Sequence, residues 1–82
     1  MMLRTSQIRV SVLFGPGHAI KPVWFDWERR KHTILETTYT WEDRKGDTKL
    51  LHFAVRDEGG LYELIFDTGE QTWSLEGIAA NP

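Results

Sequence analysis

The stretch Leu51-His52-Phe53-Ala54-Val55-Arg56-Asp57-Glu58-Gly59-Gly60-Leu61-Tyr62-Glu63-Leu64-Ile65-Phe66, continued by Asp67-Thr68-Gly69-Glu70-Gln71-Thr72-Trp73-Ser74-Leu75, decides the fold class of this chain. Large apolar residues recur at every second position: Leu51, Phe53 and Val55, then Tyr62, Leu64 and Phe66, then Trp73 and Leu75. A period of two marks a half-buried strand, because successive side chains leave opposite faces of an extended backbone. The same residues test the register of the turns. A tip at Glu58-Gly59 sets Val55 opposite Tyr62, Phe53 opposite Leu64 and Leu51 opposite Phe66. A tip at Gly69-Glu70 sets Phe66 opposite Trp73 and Leu64 opposite Leu75. Every inward residue then meets another, as one buried face demands. Gly69 at the first central position reads as a type II′ turn, whose twist suits a hairpin.

The alternation extends toward the N-terminus. Ile8, Val10, Val12 and Phe14 form one set, and Val23, Phe25 and Trp27 another. Lys31 to Trp41 is rich in β-branched residues, but its parity changes: His32 and Ile34 fall on one face, Leu35, Thr37, Tyr39 and Trp41 on the other. A β-bulge near Ile34–Glu36 repairs this and bends the strand. A tip at Arg29-Arg30 pairs Trp27 with His32 and Phe25 with Ile34, and a loop centred on Gly46 sets Tyr39 opposite Phe53 and Trp41 opposite Leu51. Gly15-Pro16-Gly17-His18 separates the first strand from the second. The expectation is one all-β domain over residues 1–78, with a frayed tail at 79–82. About six antiparallel strands form a meander, as a strongly curved sheet or small, partly closed barrel of SH3-like size. Strand one lies beside strand two or closes onto a late strand.

The chain of 82 residues is long enough for one domain and near the lower limit for a self-sufficient core. It has no cysteine, which excludes disulfides and thiolate zinc sites. Packing must supply the stability, and four Trp, four Phe and two Tyr can provide it. The N-terminal residues lack a signal-peptide layout, and no apolar run reaches membrane-spanning length, so the chain reads as cytoplasmic and not as a membrane protein. The net charge is −2, but residues 1–56 hold all ten Lys and Arg against six acids, while residues 57–82 hold six acids and no base. Opposite charges on neighbouring strands explain that division without a ligand.

Pro22-x-x-Phe25-x-Trp27, Arg29-Arg30, Trp41, His52-Phe53-x-Val55, Gly60-x-Tyr62-Glu63-Leu64, Asp67 and Trp73-x-Leu75 form a pattern over Pro22 to Leu75. In it the chain resembles a group of short bacterial all-β domains of unknown function. Glu28 stands where that pattern has a turn glycine. The resemblance implies a fold and assigns no catalytic residue.

Residue types that carry chemistry are sparse. His18, His32 and His52 have no metal-ligand spacing, so neither a metal nor another cofactor is expected. His52 faces outward between Thr40 and Ile65, with Glu63 and Asp67 on its diagonals; a carboxylate there would orient the imidazole for acid–base work. His52 is therefore the one candidate for an enzyme, and the expectation is that the chain is not one. His32 has core parity and reads as a structural histidine. The acids at Asp57-Glu58 and Glu42-Asp43 read as solubilising loop residues. Two basic clusters, Arg29, Arg30 and Lys31, and Arg44, Lys45 and Lys49, flank the third strand near aromatic residues. Basic grooves with stacking aromatics bind single-stranded nucleic acid, which makes this the alternative function. Trp24, Leu50, Ala54, Leu61 and Ile65 all point away from the core. Such an outward apolar set marks a contact surface for a protein partner or a second copy of the chain. A non-enzymatic interaction or accessory module, self-associating through this face or a sheet edge, is the leading expectation.

Overall fold

The alternating segments become strands in the computed structural model, which describes residues 6–80. They are β1 (Ser6–Phe14), β2 (Ile20–Trp27), β3 (Arg30–Thr33), β4 (Glu36–Lys45), β5 (Thr48–Arg56), β6 (Gly60–Asp67) and β7 (Thr72–Ala80). A single 3-10 turn, Pro16–His18, links β1 to β2. The strands form one antiparallel sheet in the order β3-β2-β1-β7-β6-β5-β4, curled into a half-barrel. β1 therefore pairs on both sides, with β2 and with β7.

There are seven strands where six were expected, because the third segment divides. At Ile34-Leu35 the chain leaves β2 and joins β5. The Ile34 N–H donates to the Val23 carbonyl at 3.0 Å, and the next N–H, of Leu35, donates to the Arg56 carbonyl at 2.8 Å. This corner brings the two edges of the sheet together at one end. The bulge lies further on, at Thr38, between the pairs Thr37–Val55 and Tyr39–Ala54. Further register shifts fall between Ser11 and Val12 on β1 and between Glu63 and Leu64 on β6. Bulges add local twist and bend, which a curled sheet needs.

The β5–β6 and β6–β7 registers match the expectation, with Val55 opposite Tyr62, Phe53 opposite Leu64 and Phe66 opposite Trp73. The last turn is not type II′. Gly69 has no positive φ; the left-handed residue is Gln71, at φ 59°. Asp67 holds the loop instead, its Oδ1 accepting from the N–H groups of Gly69 (2.9 Å) and Glu70 (3.0 Å). Space favours glycine at 69, since a Cβ would lie a tight 3.1 Å from Thr48 Cγ2. The β2–β3 tip is Glu28-Arg29, one residue earlier than expected, so Phe25 faces His32 and Trp27 faces Arg30. Both tip residues are left-handed, at φ 53° and 63°, without a glycine to signal it. Ala79 and Ala80, expected in a frayed tail, extend β7 opposite Leu61 and Gly60; residues 81–82 lie outside the described residues.

The concave side is the core. Phe25, Phe53, Val55, Tyr62, Leu64 and Leu75 are buried there, with Ile8, Val10, Ile20, Trp27, Ile34, Leu51, Phe66 and Trp73 packed around them. Phe25 of β2 meets the edge of Tyr62 of β6 at 5.1 Å across the half-barrel. The geometry is the edge-to-face arrangement that aromatic quadrupoles favour.

Candidate functional site

The bulge at Thr38 determines what the convex side displays. It turns Thr37 and Thr40 inward and Tyr39 and Trp41 outward, so Trp41 pairs with His52 and Tyr39 with Ala54. Sequence parity placed both aromatics in the core; the single extra residue reverses them. Tyr39 is 65% exposed and stacks on Trp41 at 5.4 Å, and Trp41 stacks on His52 at 4.8 Å with the rings 19° apart. Beside this stack, His52 faces Ile65, and Leu50 and Ala54 complete the face on β5. Leu61 closes the far end, next to Arg56, which bonds Glu36 at 3.3 Å.

Four of the five residues expected in an outward apolar set, Leu50, Ala54, Leu61 and Ile65, thus share one face with Tyr39 and Trp41, and all four are half-buried. Trp24 does not join them. It lies on β2, with β1 and β7 between it and β6, and the Lys31 ammonium sits 4.9 Å from its ring centroid.

His52 is buried in this face, and its Nδ1 lies 3.0 Å from Glu63 Oε2. The diagonal His–carboxylate contact is present, but with Trp41 opposite His52 in place of Thr40. The other ring nitrogen, Nε2, is shielded from solvent and without a hydrogen-bond partner.

β4 is the edge of the sheet. Among the described residues, no strand pairs with its outer side over Glu36–Lys45. Its middle, Thr37-Thr38-Tyr39-Thr40-Trp41, has no charge and no proline, two of the devices that protect an edge; the bulge at Thr38 is a third, and it leaves Tyr39–Lys45 in regular register. β3, the opposite edge, is four residues long and reads Arg30-Lys31-His32-Thr33.

A second polar cluster closes the end of the half-barrel at the Ile34-Leu35 corner. His32 is buried between rings, stacked on Phe25 at 4.9 Å and near Tyr62 at 5.5 Å. Its Nδ1 lies 2.9 Å from Asp57 Oδ2. The Asp57 Oδ1 accepts from the N–H groups of Gly59 (2.7 Å) and Gly60 (2.9 Å). Asp57 is thus a buried anchor, not the solubilising loop acid expected from sequence. Burial by itself would raise its pKa. The hydrogen bonds from His32, Gly59, Gly60 and the Tyr62 hydroxyl outweigh that and hold the carboxyl below its ordinary range. Burial, then the charge of Asp57 and its hydrogen bond, push the Tyr62 hydroxyl up, partly opposed by Arg30. A cleft of about 580 Å³ opens beside this cluster, lined by Arg30, Leu35, Asp57 and Tyr62 among others.

The two basic clusters stay apart. Arg29, Arg30 and Lys31 lie on the β2–β3 hairpin, and Arg44, Lys45 and Lys49 at the far end of β4 and the start of β5. Lys49 reaches Glu42 at 3.8 Å, and Lys31 sits over Trp24. No group of three metal-ligating side chains occurs among the described residues, and no helix is long and apolar enough to cross a membrane. No family model, curated protein or solved structure matches the chain.

Proposed function

We propose that the protein is an interaction module that holds a protein partner on the convex face of β4, β5 and β6, and that its simplest partner is a second copy of itself. The observation that carries this reading is the Tyr39–Trp41–His52 stack, which ends in a 65% exposed tyrosine on a ten-residue edge strand whose outer side pairs with no strand among the described residues. Aromatic rings with an apolar body and a polar tip are the residues that anchor protein contacts. The surrounding Leu50, Ala54 and Ile65 exclude water, while Glu63 and the Glu36–Arg56 pair give a polar border.

Sedimentation velocity over a concentration series tests this. A reversible rise in weight-average mass is expected, and Tyr39→Lys, which places a charge at the exposed end of the stack, shifts the midpoint by about tenfold, or 1.4 kcal/mol. A single monomeric species up to millimolar protein would remove the reading.

A further inference from the structure

We infer that two copies join by antiparallel pairing of β4 with β4 about a dyad at Thr40, making one continuous sheet; this rests on the self-association reading above. The backbone limits the options. Lys45 and Thr48 close the β4–β5 hairpin as a pair. Backbone groups alternate sides along a strand, so the N–H and C=O of Thr40, Glu42 and Arg44 point to the free edge. A symmetric antiparallel pair must match free groups with free groups. The dyad therefore falls on or between residues of the even set, which leaves few registers.

Charge and side-chain chemistry choose among them. A dyad at Glu42 sets two glutamates against each other, one at Asp43 two aspartates, and one at Arg44 two arginines. Like charges directly opposite are destabilising. A dyad at Trp41 sets Tyr39 against Asp43 and Thr40 against Glu42. A dyad at Thr40 sets Tyr39 of each copy against Trp41 of the other, twice, and brings Glu42 to the uncharged bulge residue Thr38. No carboxylate then faces another between positions 38 and 42. Tyr39 and Trp41 meet in the non-hydrogen-bonded positions, where side chains approach closest. Their outward orientation extends each aromatic stack across the dyad. β3 offers no comparable edge, being short and basic.

The absence of cysteine makes the test direct. Thr40→Cys introduces a single thiol that would lie opposite its own copy, about 5.5 Å away between Cα atoms, within disulfide range. Under mild oxidation, Thr40→Cys is expected to link as a homodimer. Trp41→Cys alone is not, whereas a mixture of Tyr39→Cys and Trp41→Cys links as a heterodimer. Thr40→Pro removes the free N–H at the dyad and is expected to raise the dimer dissociation constant at least about tenfold. Circular dichroism checks that this variant keeps its fold. Self-linking of Trp41→Cys in place of Thr40→Cys, or a dimer that persists unchanged in Thr40→Pro, overturns the β4 dyad and leaves self-association through the face standing. A wild-type chain that is monomeric at every concentration overturns both.

Discussion

Asp57 shows how much one side chain can hold. Its two oxygens serve His32 on β3 and the turn that starts β6, so a strand at one edge is tied to a hairpin from which β2, β1 and β7 separate it in the curled sheet. Removing a buried, hydrogen-bonded carboxylate leaves its donors unsatisfied, and Asp57→Ala is expected to cost about 2–4 kcal/mol in urea unfolding. The pH dependence follows from the direction of its shift. Because the folded carboxyl lies below its ordinary 3.8, the stabilisation is complete above that value and lost as pH falls through the folded pKa. Asp57→Asn should flatten the acid limb of a stability–pH curve. The Tyr62 hydroxyl is raised above 10.0, so its contribution is complete below pH 10 and lost as pH climbs beyond it. Tyr62→Phe should remove that alkaline loss, measured by unfolding between pH 9 and 11.5. Asp57 was missed because its partner lies 25 residues away. The sequence does carry a local signal: Asp57-Glu58-Gly59 and Asp67-Thr68-Gly69 share an Asp-x-Gly pattern, and both aspartates hold the following N–H groups. That pattern announces the turn but not the burial.

Among the elements, legibility followed the strictness of the pattern. β5, β6 and β7 alternate large apolar with other residues and have glycine in their turns, so two registers could be read directly. β4 could not. Thr38 and Thr40 suit either face of a strand, so the sequence carries no parity through the bulge, and Tyr39 and Trp41 were assigned inward. That one slip concealed the main part of the candidate site, although Leu50, Ala54, Leu61 and Ile65 were placed correctly from their own strands. The β2–β3 turn failed for a different reason: Glu28 and Arg29 adopt a left-handed conformation that disfavours their side chains. Replacing them with Asn-Gly should stabilise the protein by about 0.5–1 kcal/mol, seen as a higher Tm, because that pair suits two consecutive positive φ angles.

The whole molecule is a sheet whose edges meet at one corner. The consecutive N–H groups of Ile34 and Leu35 bond to strands on opposite sides, which makes the corner a structural joint rather than a loop. Leu35→Pro deletes the bond to Arg56 and should lower stability by roughly 1–3 kcal/mol, with a red shift in Trp fluorescence as the end near Trp27 admits water. Sequence parity located this bend through the change between Ile34 and Leu35. It described the bend as a bulge in one strand because nothing local reveals that a strand changes partners.

The placement of β1 between β2 and β7 has a consequence for synthesis. The pairs Ser6–Leu75, Gln7–Ser74 and Ile8–Trp73 join strands separated by most of the chain. β1, β2 and β3 are synthesised before Thr72–Leu75 exists, so the first three strands cannot join β6 through β7 until the last strand has been made. Assembly is therefore expected to complete only after translation has passed β7, and stalling upstream of Trp73 should leave a nascent chain that chaperones recognise and proteases cut.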